Sequence, residues 1–114
     1  MTQNDKLHKI AETHGLKTQL LHLSEECAEL IQAAHKVVRY PEDRNKLMNL
    51  FEELEDVQIM MDQICHLLPE SQTVTPWIRE FKINREMERM MKNEPQRTGT
   101  QDRSSTGGIK NVEV

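Results

Sequence analysis

Glycine, cysteine, aromatic residues and long apolar runs are all scarce in this chain, and each scarcity excludes something. Of four glycines, only Gly15 falls in the first 98 residues, so no Gly-rich phosphate loop can be assembled. Two cysteines, Cys27 and Cys65, exclude a disulfide scaffold; both sit in apolar periodic stretches and read as reduced packing residues. One Trp, one Tyr and two Phe leave a thin core, the kind that small domains complete by forming oligomers. No apolar run approaches the ~20 residues that span a bilayer, and no charged-then-apolar leader opens the chain. A soluble cytoplasmic protein without a membrane partner is therefore expected. The balance of 15 Lys+Arg against 19 Asp+Glu gives a net charge of −4, which argues against a nucleic-acid polymer as partner.

What is present divides at residue 93. From Asn93 onward the chain reads NEPQRTGTQDRSSTGGIKNVEV, polar and aperiodic, with Arg97, Arg103 and Lys110 balancing Glu94, Asp102 and Glu113. Such a segment buries too little apolar surface to offset its ordering entropy, so 93–114 is expected to be a disordered tail. Residues 1–92 form the expected domain. There, apolar positions recur at three and four, and Ala, Leu, Met, Glu, Gln and Lys dominate, which predicts an all-α, four-helix bundle-type fold. The first helix covers about 3–13 and stops near Gly15. The second covers about 16–39 and stops at Tyr40-Pro41, because a residue before proline is pushed out of the helical region. Glu42 and Asp43 open the third, which runs to Leu68, just before Pro69. Thr75-Pro76 reads as cap and first residue of the fourth, which runs to Lys92.

Carboxylates on the two long helices carry the chemistry. At about 100° per residue, Leu23, Leu30, Ala34, Leu16, Leu20, Val37 and Ile31 form an apolar stripe about 20–140° from Glu26, with Glu29 about 60° beyond on the other side. On the third helix, Leu50, Leu54, Val57, Met61, Ile64 and Leu47 lie about 20–120° from Glu53, with Asp56 again about 60° beyond. Each long helix thus has a pair of acids at i, i+3 on the shoulder of its apolar face. In sequence, Glu29 and Glu53 stand 12 residues either side of Pro41, and Glu26 and Asp56 stand 15. An antiparallel hairpin brings all four level, about 18–22 Å from the turn. Like charges so spaced each cost roughly 0.2–0.5 kcal/mol on an isolated helix. No Lys or Arg lies three or four residues from any of the four. Clustered carboxylates without basic partners suit a hard divalent cation such as Mg²⁺ or Mn²⁺, with a solvated acidic face as the alternative.

The stretch HGLKTQLLHLSEECAELIQAAHKVVR, followed by NLFEELEDVQIMMDQI, resembles the MazG-like all-α nucleoside triphosphate pyrophosphohydrolases over about residues 9–90. Their signature, E-E-x-x-E and then E-x-x-D, falls here on Glu25, Glu26, Glu29, Glu53 and Asp56. The resemblance implies Mg²⁺-dependent cleavage between the α- and β-phosphates of an NTP or dNTP, by a homodimer or homotetramer. It implies Glu26, Glu29, Glu53 and Asp56 as metal ligands, with Glu25 as a supporting residue or as base for the attacking water. A K-x-x-R-x-x-x-R pattern, also similar to the family's, marks Lys82 and Arg85 as candidate phosphate contacts, with pairing to nearby glutamates the alternative for Arg85 and the favoured role for Arg89. The family often has an acid where Asn84 stands. Two other functions remain open: phosphoribosyl-ATP pyrophosphohydrolase, a related activity, and a non-catalytic helical binding module.

The base pocket is not assigned by sequence; Gln19, His22, Asn49 and Met60 are neighbours of the acids. His22 is expected to hydrogen-bond behind the ligands or to pack. Met60, Met61, Met87, Met90 and Met91 are expected to fill the core or a subunit interface, and Trp77 to anchor the fourth helix in the core, with stacking on a base the alternative.

Overall fold

A computed structural model describes residues 1–93 and contains, among them, four helices and no strand: α1 (Gln3–His14), α2 (Leu16–Arg39), α3 (Arg44–Leu67) and α4 (Ser71–Asn93). The expected tail lies outside the described residues, apart from Asn93, which closes α4. By contacts the chain divides into two compact units, Met1–Gln72 and Thr73–Val114. No helix among the described residues is long and apolar enough to cross a membrane.

In the first unit, α2 and α3 form an antiparallel hairpin and α1 packs mainly on α3. α1 opens on a capping box in which Thr2 and Asp5 exchange side-chain-to-backbone bonds of 2.9 and 3.0 Å. It ends at Gly15, whose φ of 85° and ψ of 165° lie in a region only glycine visits cheaply. Gly15 N–H donates to the Ala11 carbonyl, and Gly15 C=O accepts from Gln19 N–H, so one residue ends a helix and starts the next. The hairpin turn is Tyr40–Asp43, and Asp43 caps α3 by accepting from Asn45 and Lys46 N–H. Between α1 and α3, His66 Nε2 lies 2.6 Å from Glu12 Oε2, and His8 stacks on His66 with ring centroids 3.8 Å apart.

α4 begins earlier than Thr75-Pro76 predicts. After Pro69, Ser71 N–H donates to the Leu68 carbonyl and Gln72 N–H to Pro69 C=O, so the turn runs directly into the helix. Pro76 therefore sits inside α4, where it removes one helical donor without ending the helix.

Candidate metal centre on the helical hairpin

The most buried side chains of the hairpin lie close to the acids around the helix axes. On α2 the two buried side chains, Gln19 and Ala33, lie within about 20° of Glu26 on either side. On α3, Val57 and Met60 straddle Glu53 at about 40° and −20°. Part of the expected stripes is outside instead, Leu20 being 42% exposed, Ile31 60%, Leu54 47% and Met61 41%, although Leu47 is half-buried. Glu53 consequently lies inside the buried arc of α3, whereas Glu26 stays near the edge of that of α2, with His22 and Glu29 exposed at about −40° and −60° from it. Glu26 and Glu53 are half-buried, and Asp56 is exposed.

The hairpin brings the acids together as their spacing predicts. Glu26, Glu53 and Asp56 each offer a carboxylate oxygen, and all three oxygens lie within 4.8 Å of one another. Glu26 Oε1 and Glu53 Oε1 are buried without a hydrogen-bond partner. Both carboxyls are pushed above the usual carboxylate range. For Glu26 the causes are burial first, then the charges of Glu29, Asp56 and Glu25, with His22 pulling weakly the other way. For Glu53 they are burial, then Glu29, Asp56 and Glu26, together with a hydrogen-bonding approach of the Glu29 carboxyl. Glu29 is thus part of the group electrostatically, although the closest oxygen set is the other three. Glu25 is exposed beside Glu26.

Orphaned buried carboxylate oxygens are rare because each forfeits the hydration that would stabilise it. An all-oxygen, half-buried set drawn from two helices matches the donor chemistry of a hard divalent cation. The residues present therefore fit Mg²⁺ or Mn²⁺.

The remaining expected residues divide. Lys82 and Arg85 lie on α4, in the second unit; Arg85 stands over the Phe81 ring, its Cζ 5.6 Å from the centroid. Arg89 pairs with Glu86 at 3.5 Å, the intrahelical pairing favoured for it. Trp77 corrects expectation, being 70% exposed instead of anchored in a core, and Met87, Met90 and Met91 are exposed too. Only Met60 of the five named methionines is buried. His22 makes an edge contact with His14, ring centroids 6.2 Å apart. Gln19 is not a free pocket residue: its Nε2 donates to Gln63 Oε1 at 2.6 Å, both side chains being buried. Periodicity did offer a signal for that pair, since Gln19 stands about 20° from Glu26, within the apolar arc. Gln63 carried none, because the arc on α3 was read on the other side of Glu53.

No known family model matches this chain, and neither a curated protein nor a solved structure is similar enough to count as a match.

Proposed function

We propose that this chain is a Mg²⁺-dependent nucleoside triphosphate pyrophosphohydrolase of the MazG-like kind, cleaving between the α- and β-phosphates to give a monophosphate and pyrophosphate. The observation that carries the reading is the pair of buried, unpartnered oxygens, Glu26 Oε1 and Glu53 Oε1, within a carboxylate trio spanning no more than 4.8 Å. The resemblance of the E-E-x-x-E and E-x-x-D segments supplies the reaction.

In this mechanism Glu26, Glu29, Glu53 and Asp56 would hold the cation. Mg²⁺, when bound, neutralises phosphate charge and makes water easier to deprotonate. Glu25, exposed beside Glu26, takes the proton of the attacking water. The water oxygen bonds to phosphorus as the bridging P–O bond breaks and pyrophosphate departs. The resemblance alone marks Lys82 and Arg85 as phosphate contacts.

The protein acts in the cytoplasm as a homodimer or homotetramer. Support for subunits comes from large apolar side chains left exposed on the hairpin, including Val38 at 81%, Ile31 at 60% and Phe51 at 47%.

The test is release of monophosphate and pyrophosphate from each NTP and dNTP, with and without Mg²⁺, and from phosphoribosyl-ATP. Release from no nucleotide refutes the enzyme and leaves a binding module; release confined to phosphoribosyl-ATP transfers the assignment to that activity. Glu53→Gln is expected to abolish release while circular dichroism still reports a folded helical protein. Full activity in that variant would show the ligand set to be wrong.

A further inference from the structure

α4 carries an aromatic pair that the carboxylate site does not use. Trp77 and Phe81, at i and i+4, hold their rings 13° from parallel with centroids 6.3 Å apart, although the side chains are 70% and 55% exposed. They line an open recess of about 260 Å³ whose other walls are Glu80 and Asn84. The Arg85 guanidinium stands over Phe81, 5.6 Å from its centroid, placing a cation next to the same ring.

We propose that this recess is a nucleobase subsite, in which a planar base stacks against Trp77 and Phe81 and guanine is the preferred base. The inference rests on the pyrophosphohydrolase reading for its biological setting and on α4 alone for its geometry. A planar base lays its face on an aromatic ring at about 3.5 Å, and the exposure of Trp77 and Phe81 leaves ring surface open to it. The polar walls discriminate among bases. A glutamate carboxylate accepts but does not donate, so Glu80 favours a base edge that presents N–H groups. Guanine offers two adjacent donors, a match for both carboxylate oxygens, whereas adenine and cytosine offer an amino group beside an acceptor. Uracil sets its single N–H between two carbonyls that face a like-signed carboxylate. The Asn84 amide supplies a donor for the guanine carbonyl.

Trp77 is the only tryptophan in the chain, so its emission reports on this recess alone. The experiment titrates the full chain, free of divalent cations, with guanosine, adenosine, cytidine, uridine and ribose while following that emission. Saturable quenching is expected in the order guanosine, then adenosine and cytidine, then uridine, with none by ribose. Phe81→Leu should weaken guanosine binding by about fivefold to 150-fold, the range of one base–aromatic stack. Glu80→Gln should bring guanosine and uridine closer to equal affinity while leaving quenching itself in place. Emission indifferent to every nucleoside, or quenching unaffected by Phe81→Leu, overturns the proposal. Emission that responds to protein concentration but to no nucleoside also overturns it, by showing that a second copy covers the pair. Nucleosides lack phosphate and the titration lacks metal, so the outcome is separable from hydrolysis. Quenching without pyrophosphate release sinks the enzyme and leaves the subsite; release without quenching does the reverse.

Discussion

The buried glutamine pair is where the packing can be tested most directly. Gln19 and Gln63 are only 2% and 3% exposed, and one 2.6 Å hydrogen bond joins them across the α2–α3 seam. Gln19 Oε1 already lacks a partner. Replacing Gln63 with Leu removes a bond worth about 1 kcal/mol net and leaves Gln19 Nε2 buried and unpaired, a further penalty of about 1–3 kcal/mol. The added apolar contact of Leu offsets part of this, so Gln63→Leu should destabilise by about 2 kcal/mol. For a folded chain of this size that lowers Tm by roughly 8–16 °C. Replacing both glutamines with Leu removes the orphans altogether and should return stability to near the parent value. The assay is thermal and urea unfolding of the parent, both single variants and the double variant, closed as a thermodynamic cycle. A Gln63→Leu protein as stable as the parent, or a double variant no better than the singles, would refute the account of this seam.

Three further outcomes follow from the site and its supports. Mg²⁺ at ten times its dissociation constant should stabilise the parent by about 1.4 kcal/mol, a rise of roughly 6–11 °C in Tm, and a rise of equal size in Glu53→Gln would show that the cation binds elsewhere. Without metal, the raised pKa values of Glu26 and Glu53 mean the folded state holds their protons more tightly than the unfolded chain does. Their contribution to stability is then full below the ordinary glutamate value near 4.5 and is lost as pH rises through the raised values, so urea midpoints should climb on mild acidification; midpoints falling in that window would contradict the sign. Gly15→Ala meets no atom within 4 Å but must hold φ at +85°, so it should cost about 1–3 kcal/mol through backbone strain alone, measurable in urea, and an unchanged midpoint would argue against that conformation.

The sequence determined the helix ends wherever one residue settles the backbone. Gly15 and Tyr40-Pro41 bracket α2 at Leu16–Arg39, as the structure has it. The level of the acids was also legible, because an antiparallel hairpin with a short turn leaves little freedom in register. Rotation about the helix axis was not. An apolar stripe about 120° wide does not say which half a neighbour covers: Met60 and Gln63 are buried, whereas Leu54 and Met61 are exposed. The same ambiguity misplaced Trp77: residues at helical spacing read as a core face until a partner is located, and Trp77 is exposed. Thr75-Pro76 misled for a different reason. It is a strong local start signal, but the turn at Leu68–Gln72 had already begun the helix, and a proline near its beginning was accommodated.

Burial explains why the acids are so poorly satisfied. Fully solvated, Glu26 and Glu53 would repel one another through a high dielectric. Half-buried, each loses hydration from one oxygen while facing the other's charge and those of Glu29 and Asp56. Packing alone favours apolar residues at both positions, since Val57, Met60 and Ala33 beside them are buried without difficulty. Glutamates there cost metal-free stability at neutral pH, the kind of cost that functional sites commonly carry, and the proposed cation would offset it. The burial that makes these carboxylates unfavourable in the bare protein is also what strengthens their attraction for a divalent ion.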